Sequence, residues 1–97
     1  MTLTDPLSLA WLAWMDGSRI PAHTVARRRA VLRGLGNAGT APRADVETWW
    51  TSRAHLSAAT RANDLACLRS FYRWAIRWEH RGDDPSIRLD APKVAKG

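Results

Sequence analysis

Apolar positions recur along this chain at the three- and four-residue spacing of helices buried on one side. In "DPLSLAWLAWMDG", residues 5 to 17, Leu7, Trp11, Trp14 and Met15 fall at that spacing. Asp5 and Pro6 open the segment as a helix start should, because proline lacks only an N–H that the first turn leaves unused. Gly17 stops it. After the turn "GSRIP", a second helix is predicted from Ala22 to about Asn37, with Val25, Leu32 and Leu35 inward and "GNAG" as its end. "TAPRADVETWWTSR" places Pro42, Asp45 and Glu47 early, as a short third helix should, since carboxylates favour the positive end of the helix dipole. Ser57 is positioned to cap a fourth and longest helix, which the pattern carries to near Gly82. "DDPSIRL" supplies one further short turn, a candidate fifth helix, and "DAPKVAKG" reads as a linker or tail. No stretch alternates with period two and no segment repeats, so the fold class is all-α, a bundle of four helices.

The longest helix, "TRANDLACLRSFYRWAIRWEHRGDDP", has an unusual section. Leu65, Leu68, Tyr72, Ala75 and Ile76 share a face that Phe71, Trp74 and Trp78 widen, as suits a central helix with several neighbours. Arg69, Arg73 and Arg77 descend one flank in a row. Like charges four residues apart repel, so helix stability does not ask for them. A second cluster, "RIPAHTVARRRAVLR", holds Arg19, Arg27, Arg28, Arg29 and Arg33 without an acid. Arg28 projects into the apolar arc of its helix, where an unpaired guanidinium is costly to bury. It must snorkel, pair with a carboxylate or reach a ligand.

Charge turns this pattern toward a partner. The 97 residues make one domain, 45% are hydrophobic and the formal net charge is +6, which excludes a disordered chain and favours an acidic partner. Thirteen of the fifteen basic residues are arginine, whose planar fork suits phosphate and guanine; only Lys93 and Lys96 are lysine. The helix starts carry short polar residues, His23 and Thr24 on the second and Thr60, Arg61 and Asn63 on the fourth. Free N–H groups there favour phosphate, and arginine and asparagine read guanine and adenine edges.

Other chemistries find little support. The single cysteine, Cys67, excludes an internal disulfide or a cysteine-built zinc site and reads as a small core filler. His23, His55 and His80 are isolated, so neither metal nor cofactor is expected. No apolar run approaches the ~20 residues of a membrane span, and the N-terminus lacks a signal-peptide pattern. A cytoplasmic protein without membrane or small-molecule partners is the expectation.

The fourth segment resembles the last long helix of the core-binding domain of tyrosine recombinases, the phage integrase and Xer family. Leu65, Leu68, Arg69, Phe71 and Tyr72 match its pattern, with Asp84-Pro85 in place of Asn-Pro. "IPAHTVARRRAVLRGL" resembles the second helix of that domain through Thr24, Val25 and Leu32, while Arg28 stands where an aromatic is usual. "ADVETWWTSR" is similar to the third, with Trp49 and Trp50 at its aromatic and aliphatic positions.

The resemblance implies a SAM-like, orthogonal four-helix bundle over residues 1–90 that forms half of a clamp around duplex DNA. Residues 91–97 would begin the linker to a separate catalytic domain, and an additional arm-site-binding domain ahead of the bundle is not expected. It implies recombination-core-site binding through the second and fourth helices, with other recombinase protomers as partners in a tetramer on paired sites in a bacterial host cell. The fragment itself would not be an enzyme, since Tyr72 lies on an apolar arc and reads as core rather than nucleophile. The expected DNA contacts are Thr24, Arg27 and Arg28 from the second helix, and Thr60, Arg61 and Asn63 at the groove. Arg69 and Arg73 would lie towards the backbone, with Lys93 in the linker. Arg77 is expected to lie too far along. Two other classes fit the same residues. A free-standing helical DNA-binding regulator would need a dimer surface and a palindromic site. A helical protein-interaction module would use the tryptophans and leave the arginines solvated.

Overall fold

The structure, a computed structural model, describes residues 3–93. It contains four helices, α1 (Pro6–Gly17), α2 (Ala22–Leu35), α3 (Arg43–Ser52) and α4 (Ala58–Arg77), and no strand among the described residues. The all-α expectation holds.

Each helix is bounded by groups the sequence supplies. The Asp5 carboxylate accepts the Ser8 N–H at 2.9 Å, capping α1. It also accepts the Ser8 hydroxyl and the Gly39 N–H, at 2.5 and 3.0 Å. One buried carboxylate thus caps a helix and ties down the loop after α2. A Cβ at Gly39 would lie 2.7 Å from the Leu7 Cβ, so the loop approaches α1 this closely only because residue 39 is glycine. Helix α2 ends at Leu35, where Gly36 takes φ +93°, slightly before the predicted end. Ser57 caps α4 as predicted, its hydroxyl accepting the Thr60 N–H at 3.2 Å.

The far end of α4 corrects the sequence reading. The helix stops at Arg77 rather than near Gly82. Glu79 adopts the left-handed conformation at φ 60°; His80 N–H donates to the Ala75 carbonyl at 2.8 Å and Glu79 N–H to that of Ile76 at 3.1 Å. This paired closure usually has glycine at the left-handed position. Glutamate there gave no stop signal, so the pattern ran on to the next glycine. "DDPSIRL" forms hydrogen-bonded turns instead of a fifth helix, with Ile87 N–H on the Asp84 carbonyl and Leu89 N–H on that of Ser86.

Helix α4 is packed by α1 and α2, and α3 packs on α2. Trp11, Met15, Leu32, Leu65, Phe71 and Tyr72 form the centre, all at most 1% exposed. The Tyr72 hydroxyl donates to the Ala38 carbonyl at 2.9 Å. The apolar arc is narrower than predicted, since Ile76 and Trp78 are 41% and 55% exposed. Both lie at the end of α4, where neighbouring helices no longer surround it. Trp14 is also exposed, its ring 6.4 Å from that of Trp74 at the rim of the core. No helix among the described residues is long and apolar enough to cross a membrane.

Candidate nucleic-acid interface

The basic residues are set apart from the acids by how the helices are built. Helix α2 contains no carboxylate, and the only one on α4 is Asp64. Asp64 is buried and answered by Arg53, which donates to it from Nε at 3.0 Å and from a terminal nitrogen. Arg81 pairs with Asp83 and also donates to the carbonyls of Ala38, Gly39 and Ala41, fixing the loop before α3. That guanidinium holds the exposed Asp83 carboxyl below its usual range. These are the two arginine–carboxylate pairs among the described residues. Arg27, Arg28, Arg29 and Arg33 on α2, and Arg61, Arg69, Arg73 and Arg77 on α4, keep unneutralised charge.

One shared side of α2 and α4 gathers much of this charge. On α4, Thr60, Asn63, Cys67, Ser70, Arg73 and Arg77 follow one another at three- and four-residue steps. On α2, Thr24 lies one turn before Arg27 and Arg28. The Cys67 thiol, pushed up by burial, is pulled the other way by Arg28 and Arg27, and Arg28 shares a cleft with Ser70 and Arg73 of α4. A raised thiol pKa favours the protonated, less nucleophilic form, and Cys67 packs half-buried against the core.

Arg28 meets its predicted conflict through contacts with α1. Its guanidinium lies 5.2 Å from the centre of the Trp11 ring and donates to the Met15 sulfur at 3.2 Å. Its Nε is buried without a partner. Arg28, Ser70, Arg73 and Arg77 then border a cleft of about 390 Å³ whose other walls are Ile20 and the indoles of Trp11, Trp14, Trp74 and Trp78. No carboxylate lines it.

The remaining candidates separate from this side. Arg61 lies over the Trp50 ring at 4.3 Å, on the flank of α4 that faces α3. Arg69 turns to the C-terminal turns, donating to the Leu89 carbonyl and, at 3.5 Å, to that of Ser86. The row 69–73–77 is therefore not one functional unit. Its first member holds the chain after α4, while Arg73 and Arg77 border the cleft. Lys93 is exposed at the end of the described residues. Thr24 and Thr60 are half-buried, and Arg27, Asn63 and Arg73 are exposed. The Trp11–Arg28 and Trp50–Arg61 stacks were invisible in the sequence, because each joins two helices.

The arrangement offers donors and positive charge. Tyr72 is fully buried, and desolvation pushes its phenol far above the ordinary value, so it holds its proton. No group of three or more His, Cys, Asp or Glu side chains suited to a metal occurs among the described residues.

No protein-family model matches the sequence, and no curated protein matches it. Among solved structures, the integrase from mycobacterium phage Brujita aligns with 97% of this chain at 24% sequence identity and a TM-score of 0.86. The chain spans 34% of that integrase. What the two share is a fold: a helical bundle of about ninety residues that, in the phage integrase, is one part of a longer chain.

Proposed function

We propose that this chain binds duplex DNA at a recombination core site, as the N-terminal half of the clamp of a phage-type tyrosine recombinase. The observation that carries the reading is the basic side shared by α2 and α4, whose one nearby carboxylate, Asp64, is buried and paired with Arg53, in a fold that a phage integrase also uses. Thr24, Arg27 and Arg28 on α2 and Thr60, Asn63 and Arg73 on α4 are the proposed contacts from that side; Arg61, on the α3 flank of the same first turn, joins them where the end of α4 enters the groove. Arg73 and Arg27 suit phosphates because they are exposed and unpaired. Asn63 and Arg61 sit in the first two turns of α4, where a helix end can enter the major groove and reach base edges. Lys93 would add a backbone contact where the chain leaves the bundle.

On this reading cleavage and rejoining belong to a separate catalytic domain, and other protomers complete the assembly on paired sites. The exposed Leu9, Trp14 and Trp78 support such protein contacts, since they leave apolar surface uncovered on α1 and at the end of α4. The setting is the cytoplasm of a bacterial host. A single half-clamp binds weakly, because it lacks the effective concentration of a tethered second half.

Titration of the chain onto labelled duplex over a range of salt tests this. Binding should appear at low salt and fall steeply as salt rises, because each phosphate contact releases counterions. Arg27→Gln and Arg73→Gln should each flatten the slope by about one contact's share. Binding indifferent to salt, or absent at low salt on a core site, would refute the reading and leave a protein-interaction module.

A further inference from the structure

At the junction of α3 and α4 two guanidiniums lie on two adjacent indoles. Arg53 covers the Trp49 ring at 5.2 Å and Arg61 covers that of Trp50 at 4.3 Å, the two rings being 6.1 Å apart. The two arginines differ in what their nitrogens do. Arg53 spends its Nε and a terminal nitrogen on the buried Asp64, so its charge is answered within the domain. The Arg61 side chain has no carboxylate partner and no hydrogen bond among the described residues. Its Nε is buried, whereas its terminal nitrogens are neither buried nor occupied.

That geometry selects an orientation. The Trp50 indole lies against the Arg61 guanidinium, and the Nε edge is turned inward. The edge formed by the two terminal nitrogens is what remains for a ligand. Two parallel N–H donors on that edge match the O6 and N7 acceptors of guanine in the major groove. A stacked guanidinium also loses less freedom on binding than an arginine loose on the surface. Simple charge attraction would need neither the indole nor a fixed edge, as exposed Arg73 and Arg77 illustrate.

We infer that Arg61 is a guanine-reading residue of this domain and that Trp50 is the positioning residue that holds its fork in reading orientation. This rests on the DNA-binding reading above and adds to it a base, a residue and the side chain that aims it. Arg61 supplies the specificity; Trp50 never touches DNA.

The test is selection of binding sites from a randomised duplex pool by the parent chain and by Arg61→Lys, Arg61→Gln, Trp50→Phe and Trp50→Leu, with thermal melts of each. The parent should enrich a guanine position. Arg61→Lys keeps the charge and loses the fork, so the guanine preference should fall by about 5- to 150-fold at an almost unchanged salt slope. Trp50→Leu should erode the same position several-fold, and Trp50→Phe, which keeps an aromatic face, should restore most of it. If Arg61→Gln weakens all sequences equally and flattens the salt slope, Arg61 is a phosphate contact and the inference is wrong. If Arg61→Lys loses the guanine and Trp50→Leu, still folded, does not, the positioning role is refuted. If the parent binds no duplex at low salt, the DNA-binding reading itself has failed, an outcome distinct from both.

Discussion

Removing either partner of the Arg53–Asp64 pair should cost unequal amounts, and the structure sets the order. The Asp64 side chain is 5% exposed and that of Arg53 26%. Two of Arg53's donors converge on one Asp64 oxygen. Arg53→Met leaves a carboxylate inside the α3–α4 junction without its partner, and breaking a buried pair in this way costs about 3–5 kcal/mol. The lower end applies, because Arg53, at 26% exposed, marks the junction as lying near the surface. Asp64→Asn keeps shape and an acceptor oxygen, and leaves the cation on the partner that can reach solvent and still rest on Trp49. Its cost should be about 1–2 kcal/mol. In a domain this size about 1 kcal/mol moves the midpoint by ~4–8 °C, so the two variants should melt well apart. Equilibrium urea denaturation of both single variants and of Arg53→Met/Asp64→Leu gives the cycle. The double variant should recover much of what Arg53→Met loses, because the orphaned charge is gone. Equal costs for the two single variants, or a larger cost for Asp64→Asn, would refute the claim that the carboxylate is the trapped partner.

Two further outcomes follow from single contacts. Tyr72→Phe removes the hydrogen bond to the Ala38 carbonyl, which Arg81 still serves at 3.2 Å, so the loss should be about 1 kcal/mol near neutral pH. Burial raises the folded phenol above 10.0, so the unfolded chain ionises first and the tyrosine's contribution is whole below that pH and lost above it. Urea midpoints of parent and variant from about pH 8 to about pH 11 should therefore converge, and a constant gap would contradict the burial. Arg69→Met should speed amide exchange at Ile87 and Leu89 while leaving α4 protected and the salt slope of DNA binding unchanged; a flatter slope would return Arg69 to the phosphate contacts.

What the sequence could disclose depended on how local the cause was. Helix starts were legible because Asp5 and Ser57 act within three residues of themselves. The end of α4 was not, since a glutamate holds the left-handed position and only the surrounding chain makes it do so. Charge was legible as a total and misleading as a pattern. Arg69, Arg73 and Arg77 share a spacing, yet the first holds carbonyls of the chain that follows α4, and that chain's course is a tertiary fact. Arg28 shows the same limit from the other side. Its position on an apolar arc announced a conflict, and its resolution by an indole and a thioether on α1 required knowing which helix lies opposite. Arg53 and Arg61 illustrate the limit most sharply. Both sit near the α3–α4 turn and both lie on a tryptophan, so sequence gives no ground to separate them. Asp64 does, by taking up the charge of one and leaving the other with two open nitrogens. Which arginines remain free for a ligand therefore depends on which carboxylates, carbonyls and rings the fold has already set against them. In a chain with fifteen basic and nine acidic residues, that choice is where the specificity of a basic surface arises.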